Sequence, residues 1–171
     1  MPENPSPQAD SHPAGQLTPS ADGDYSAALN ASRDGWNRAM GIRYVRATVD
    51  EVIAELDVEH VHHQAYGIVH GGVYCGIIET VSSVGAALWA RRTRHAVVGL
   101  ENQTSFLKAV REGMLRATAR PLMRGRRTQV WEATITDGAG RAVATGRVRL
   151  LVLEPEAALA GEPVKVKSRQ E

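Results

Sequence analysis

Residues 73–90 read VYCGIIETVSSVGAALWA and form the longest apolar stretch of this 171-residue chain. Apolar side chains occur almost all the way round a helical projection of the stretch, which is typical of a helix enclosed by protein rather than lying on a surface. Glycines at positions 71, 72, 76 and 85 would let neighbouring backbone approach this helix closely. The stretch therefore predicts a central, enclosed helix.

The segments around this helix carry the signals of β-strands. In residues 51–58 apolar side chains alternate with charged ones, the period-2 pattern of a half-buried strand. Four more strands are predicted after the helix, at residues 96–107, 114–122, 128–136 and 142–153. The turns between the later strands are short, and short connections require antiparallel neighbours. The predicted fold class is α+β, with a curved antiparallel sheet wrapped around one long central helix.

The two ends of the chain differ from its middle. Residues 1–23 hold five of the eight prolines and little apolar content, so we expect a disordered arm there. Residues 24–154 form the predicted domain, which includes a short helix at residues 25–40. Residues 155–171 are polar and are expected to form a flexible tail.

Composition argues against several classes of protein. A formal net charge of +1 disfavours a partner such as nucleic acid or a membrane surface. One cysteine, Cys75, and the lack of a visible secretory signal favour a cytoplasmic protein. A membrane-spanning helix at residues 73–90 would place Glu79 deep in hydrocarbon, which disfavours that interpretation.

Glu79 is the one acidic residue of the apolar helix. A carboxylate in such surroundings must be paired, neutral or functional, because desolvating an isolated charge is costly. Helical spacing puts Gly76, Glu79 and Ser83 on one face, where Gly76 offers space and the Ser83 hydroxyl can hydrogen-bond. The residues alone leave a structural and a functional role for Glu79 equally open.

The segment QAYGIVHGG, residues 64–72, leads directly into the helix. First-turn amides have no intrahelical acceptor, and the helix dipole adds partial positive charge there. The glycines at 71 and 72 would let a ligand atom approach these amides, which suits a carbonyl whose oxygen becomes negative during nucleophilic attack. A Gly-rich turn without a ligand remains the alternative.

Helix geometry separates these two features. Gly71 and Glu79 are eight residues apart, which corresponds to about 12 Å of helix rise, whereas a reacting carbonyl needs contacts of about 3 Å to each group. If they share a site, two helices must run antiparallel across a two-fold axis. The sequence then predicts a homodimer with two equivalent sites at its interface.

Histidines precede the helix, but they do not predict a metal site. His60 and His62 would share one strand face, and no second acidic residue stands at a convincing ligand spacing. His70 is expected to hold the turn or to position a substrate.

Basic residues follow the strands. Lys108 ends one predicted strand, while Arg124, Arg126 and Arg127 cluster at a turn. A solvated run of charges is the simpler interpretation, and a cradle for ligand phosphates is the alternative.

Residues 40–154 resemble the hotdog-fold thioesterase superfamily. Many phenylacetyl-CoA-type relatives carry Asn before a His-Gly-Gly turn and Asp on the helix. Gln64 and Glu79 resemble instead the 4-hydroxybenzoyl-CoA thioesterase of the Gln/Glu type. The match rests on Gln64, His70-Gly71-Gly72-Val73-Tyr74-Cys75, Glu79, Ser83 and Asn102-Gln103-Thr104-Ser105-Phe106.

The resemblance implies a homodimeric acyl-CoA thioesterase, often paired into tetramers, that hydrolyses an aryl-CoA such as 4-hydroxybenzoyl-CoA without a further cofactor. Glu79 would be the nucleophile or the general base, and the Gly71 amide would polarise the thioester carbonyl. Gln64 would orient the reacting groups, with Ser83 and His70 assisting. The residues implied to contact coenzyme A are Gly72, Lys108, Arg126, Arg127 and Thr128.

Two departures from the family pattern stand out. The family usually has small hydroxyl residues at the positions of Arg126 and Arg127, and Ser83 replaces a Thr. Two alternative functions stay open: a hotdog dehydratase or hydratase, and a non-catalytic acyl-CoA-binding protein.

Overall fold

The computed structural model describes residues 17–155 and 157–163. Within them, the helices are α1 (Ser26–Ala31), α2 (Gly35–Ala39) and α3 (Gly71–Ala90). The strands are β1 (Arg43–Ala47), β2 (Val52–Asp57), β3 (Ala96–Phe106), β4 (Met114–Arg124), β5 (Thr128–Asp137), β6 (Ala142–Leu153), β7 (Ala158–Leu159) and β8 (Glu162–Pro163).

Six strands form one antiparallel sheet in the order β1-β2-β4-β5-β6-β3. Helix α3 packs against strands β2 to β6 of that sheet. The predicted hotdog fold, an antiparallel sheet around one long helix, is confirmed, and so are the antiparallel connections β4–β5 and β5–β6. Strand β3 is left at one edge of the sheet and β1 at the other.

Close packing of α3 on the sheet depends on Gly85. The fully buried ring of Trp131 lies against this glycine, and a Cβ added there would stand 2.3 Å from the ring. Buried Gln129 satisfies the polar groups of the contact, because its amide donates to Ala86 O at 3.3 Å and accepts from Trp131 Nε1 at 3.0 Å. An indole buries a large apolar area, so this contact anchors the helix to the sheet.

The apolar character of α3 is explained by this packing. Residues Gly71–Thr93 are long and apolar enough to cross a membrane. An 18-residue window within them has a mean hydropathy of 1.4, and 56% of that window is buried inside the domain. Among the described residues it is the core helix of the sheet.

The N-terminal part of the domain differs from the prediction. The helix predicted at residues 25–40 is two short helices, α1 and α2, because the backbone is extended at Asp34 (φ −148°, ψ 175°) and left-handed at Gly35 (φ +52°). Strand β1 was not predicted, since only Tyr44 and Ala47 of its five residues are buried.

The ends of the domain lie outside the predicted limits. Of the predicted arm, residues 1–16 fall outside the described residues, whereas Leu17 packs against the core and Ser20 N–H donates to Asp24 O at 2.8 Å. In the predicted tail, β7 and β8 form a small hairpin. Residues 156 and 164–171 are outside the described part of the chain.

Candidate active site

Glu79 is held by a donor at each carboxylate oxygen. Ser83 Oγ donates to Glu79 Oε1 at 3.1 Å, and Asn102 Nδ2 donates to Glu79 Oε2 at 3.0 Å. Both donors are neutral, and no lysine, arginine or histidine of residues 17–155 or 157–163 forms an ion pair with this carboxylate. The half-buried carboxylate is therefore oriented but not neutralised by a cation.

A β-bulge in β3 builds the other wall of this site. The β3–β6 register shifts between Gly99 and Glu101, so Leu100 is an extra residue. In a regular strand, residues three apart face opposite sides, but the bulge turns Gly99 and Asn102 towards the same carboxylate. A Cβ on Gly99 would stand 2.6 Å from Glu79 Oε1. Gly99 therefore makes the space that the carboxylate occupies.

The space predicted at Gly76 is filled. The Trp36 indole of α2 lies against this glycine, and a Cβ added there would stand 2.4 Å from the ring. The neighbouring Thr80 Oγ1 donates to Asn37 Oδ1 at 3.1 Å, which fixes α2 on α3. Trp36 remains 42% exposed and covers Gly76, which is one helical turn before Glu79 on α3. The expectation that Gly76 offers open space beside the carboxylate was wrong.

The start of α3 is capped by His70. Its Nδ1 accepts from Gly72 N–H at 2.8 Å, which is the turn-holding role predicted for His70. The Gly72 amide is thereby used. No acceptor among the described residues pairs with Gly71 N–H. The Phe106 ring packs beside Gly71, where a Cβ would stand 2.7 Å from it. Gly71 N–H is therefore a helix-start donor that has no acceptor among the described residues.

Gln64 lies in a tight loop that leaves one end of its amide available. Its Oε1 accepts from Tyr66 N–H at 2.8 Å, and no partner within the described chain is seen for Nε2. Arg111 fixes the loop by donating to Tyr66 O at 2.9 Å and Gly67 O at 3.0 Å. Gln64 can thus present an NH₂ donor on a loop that Arg111 fixes by two hydrogen bonds.

The histidines before this loop are structural. The prediction that His60 and His62 share a strand face was wrong, because residues His60–His62 form a 3-10 turn. Buried His62 accepts from Glu59 N–H at 2.8 Å and lies 3.2 Å from Met40 O, so both ring nitrogens are satisfied. In the part of the chain that the structure describes, no three His, Cys, Asp or Glu side chains gather as metal ligands.

Two half-sites result from these contacts. Glu79, Ser83 and Asn102 form one, and His70 with Gly71 forms the other. Because both lie on the single continuous helix Gly71–Ala90, they remain about 12 Å apart along its axis. One chain does not bring the carboxylate to the free amide.

The basic residues expected at the phosphates lie far apart in one chain. Lys108 Nζ is 3.6 Å from Asp137 Oδ2, at the end of β5. Exposed Arg126 and Arg127 precede Thr128 at the other end of this ten-residue strand, about 30 Å away by strand rise. The hydrogen bond from Arg141 lowers the pKa of Asp137 to about 2, so this carboxylate is ionised at neutral pH.

Arg124 does not belong to a phosphate cradle. It donates to Val49 O at 2.6 Å and to Asp50 Oδ1 at 2.7 Å, and its guanidinium lies 4.3 Å from the Trp89 ring centroid. These contacts join β4 to the β1–β2 turn and to the end of α3. Its role is structural.

Comparison with known proteins identifies the family. The model of the thioesterase superfamily matches residues 66–144. Rv1847 of Mycobacterium tuberculosis is 41% identical over 133 residues, which cover 77% of this chain and 94% of the relative. This chain belongs to the thioesterase superfamily. It is accordingly an enzyme of the thioester-hydrolase class.

Relatives named as a thioesterase or a putative esterase are similar to this chain in sequence or in fold. The proofreading thioesterase EntH of Cronobacter turicensis is 36% identical over 127 residues, covering 74% of this chain and 92% of EntH. The solved structure of Rv1847 aligns with a TM-score of 0.69 at 43% identity over 70% of this chain and 96% of that one. Thioesterase HI1161 of Haemophilus influenzae aligns with a TM-score of 0.69 at 29% identity, over 75% and 90% of the two chains.

Three residues of the site were missed as contributors from the sequence. Gly99 had a signal, since an isolated glycine inside a strand pattern often marks a bulge or a close approach. Asn102 was noted only as part of a family stretch, and Trp36 carried no signal because its contact with Gly76 is long-range.

Proposed function

We propose that this thioesterase hydrolyses acyl-CoA in two sites, each shared by two subunits. Glu79 would act as nucleophile or general base at one side of the thioester, and Gly71 of the partner subunit would polarise its carbonyl. The observation that carries the proposal is the Glu79 carboxylate, which is held at both oxygens by neutral donors and forms no ion pair with the residues that the structure describes. A carboxylate held in this way keeps its negative charge available for the thioester carbon or for a water molecule.

The exposed edge of the sheet supports the dimer. Strand β3 has 11 residues at the sheet edge, whereas β1 at the opposite edge has 5. A long unprotected edge is a template for pairing with another chain. Exposed apolar side chains lie at or near this strand, with Leu100 50% and Phe106 56% exposed. A second copy that pairs antiparallel along β3 would cover them.

The same pairing brings the half-sites together. Along β3, Gly71 lies beside Phe106 and Glu79 lies beside Asn102. In an antiparallel copy related by a two-fold axis near Thr104, residue 106 of one strand would lie opposite residue 102 of the other. The partner subunit's Gly71 would then stand level with Glu79, as an isologous interface requires.

Mixed oligomers provide the test of shared sites. Gln64 lies in the loop that leads into Gly71 and would belong to that half-site, so Glu79→Gln and Gln64→Ala inactivate opposite half-sites and each variant should be nearly inactive alone. Co-refolding equal amounts should restore about one quarter of wild-type activity, because half of the random dimers are mixed and each mixed dimer has one intact site of two. Thiol release before and after mixing measures this. Separate incubation without refolding is the control. If activity stays at background after exchange is verified by mass spectrometry, each site lies within one subunit.

Coenzyme A phosphates would bind at Arg126 and Arg127. Neither guanidinium is paired within the described residues. The next residue, Thr128, pairs with Leu151 of β6, which in turn pairs with Val98 of β3, so the two arginines lie near the Val98 end of β3. In the proposed dimer, the partner subunit's Lys108 would come to about the same level. The separation of Lys108 from the arginines in one chain is thus compatible with one site in the dimer.

The double variant Arg126→Ala/Arg127→Ala should raise KM for acyl-CoA about tenfold, the equivalent of ~1.4 kcal/mol, with kcat within about twofold. Steady-state kinetics measure both constants. The matched control is the N-acetylcysteamine thioester of the same acyl group, which lacks the nucleotide and should show no change. An unchanged KM for the CoA thioester would remove the phosphate role.

The acyl group is proposed to be aromatic, with 4-hydroxybenzoyl-CoA first, from the Gln64/Glu79 resemblance. A panel of aryl and aliphatic CoA thioesters, assayed with a thiol reagent and ranked by kcat/KM, tests this. Absence of released thiol with every substrate would overturn the acyl-CoA thioesterase proposal and favour a binding protein. Faster hydrolysis of aliphatic substrates would overturn only the aryl assignment.

A further inference from the structure

We propose that Asn102 is a positioning residue that holds the Glu79 carboxylate for reaction, and that Thr104 fixes the Asn102 amide. The inference rests on the proposed function of Glu79. Asn102 lies on β3 two residues after the bulged Leu100, so the backbone irregularity that admits the carboxylate at Gly99 also turns this amide towards it.

The hydrogen bonds of Asn102 define the orientation of its amide. Nδ2 donates to Cys75 O at 3.0 Å and to Glu79 Oε2 at 3.0 Å. Both partners are acceptors only, so they use the two N–H groups, and a flipped amide would point its oxygen at two other oxygens. Thr104 Oγ1 donates to Oδ1 at 2.7 Å and completes the set.

This arrangement joins the carboxylate to a fixed frame. Cys75 is one helical turn before Glu79 on α3, so Asn102 fixes the carboxylate relative to the backbone of the same helix. Ser83 holds the other oxygen at 3.1 Å. A Glu side chain has three rotatable torsions, and ordering them costs conformational entropy. Because Asn102 and Ser83 fix the side chain before substrate binds, this entropy is not lost in the reaction step.

Exposure separates this role from a folding role. In the single chain Asn102 is exposed, as is its bond to Glu79. Hydrogen bonds at exposed sites exchange readily with water and add little to folding stability. The fold of one chain therefore does not depend on the Asn102 amide. Its loss should lower kcat while the variant keeps the wild-type Tm and, because β3 forms the proposed dimer edge, the wild-type oligomeric state.

The test compares two isosteric amide-to-acid changes on adjacent residues. Asn102→Asp should lower kcat about 100-fold, because a carboxylate replaces the donor facing Glu79, with KM within about twofold. Gln103→Glu adds the same charge to the same strand, but its side chain points to the other face, and it should stay within about twofold of wild type. Asn102→Ala should lower kcat about tenfold, and Thr104→Val about threefold.

The pH–rate profile gives a readout that a structural role would not change. In Asn102→Asp two carboxyl groups face each other and would share a proton, so the acid limb of kcat/KM should move to higher pH. In Gln103→Glu it should stay where it is in the wild type. Asn102→Asp and Asn102→Ala with wild-type kcat, or losses that follow a fall in Tm, would overturn the inference.

Glu79→Gln in the same assay separates the two proposals. If it is inactive while the Asn102 variants are unaffected, the positioning role fails and the proposed function stands. If Glu79→Gln keeps its activity, the proposed function of Glu79 fails first, whatever the Asn102 variants show.

Discussion

Glu79→Gln is expected to lower kcat about 1,000-fold, a loss of ~4 kcal/mol of transition-state stabilisation. The amide has the shape of the carboxylate but neither attacks a thioester nor takes a proton from water. Its oxygen can accept from Asn102 Nδ2 and its NH₂ can donate to Ser83 Oγ, so the contacts that hold residue 79 survive. We therefore expect KM and Tm to stay close to wild type.

Steady-state kinetics with an acyl-CoA measure kcat and KM, and a thermal melt measures Tm. Glu101→Gln is the matched control, since Glu101 is exposed on β3 next to the bulged Leu100, and its own contact is an ion pair of 3.4 Å with Arg149. It removes the same charge and should keep full activity. Retention of kcat in Glu79→Gln would contradict the mechanism.

Gly99→Ala is expected to lower kcat about 100-fold while the protein stays folded. The added Cβ would stand 2.6 Å from Glu79 Oε1, which is the free end of a flexible side chain. The carboxylate can swing away at little cost to stability, but it then leaves the position set by Ser83 and Asn102. Misplacement of a reacting group by about 1 Å is enough for such a loss.

The kinetic constants and Tm of Gly99→Ala distinguish displacement of the carboxylate from unfolding. Gly138→Ala serves as the control, because a Cβ at that turn glycine meets nothing within 4 Å and its backbone φ is not left-handed. Wild-type kcat in Gly99→Ala would show that the carboxylate reacts from another position.

The elements that the sequence predicted are those with a local signal. Helix α3 follows from an unbroken apolar stretch, and β2, β4, β5 and β6 follow from alternation with glycine-containing turns between them. The same holds for Glu79 and Ser83, because residues four apart on a helix lie one turn apart on the same face.

Features set by pairing between distant segments could not be predicted. Gly99 signals a bulge or a close approach somewhere in residues 96–107, but the position of the extra residue, Leu100, is set by the register of β3 against β6. The sequence therefore does not show that Gly99 and Asn102 face the same carboxylate. The Trp36–Gly76 contact joins residues forty positions apart. The residues that neighbour Trp36 and Gly76 in the sequence do not indicate this contact.

The unbroken course of α3 has a mechanical consequence for the proposed dimer. One rod carries the carboxylate of one site and the amide donor of the other, about two turns apart. A slide of this rod along its axis would withdraw Glu79 from the first site and Gly71 from the second in a single motion. Movement of either α3 helix would then change the catalytic geometry of both active sites of the dimer. Neither site could be altered alone by such a movement.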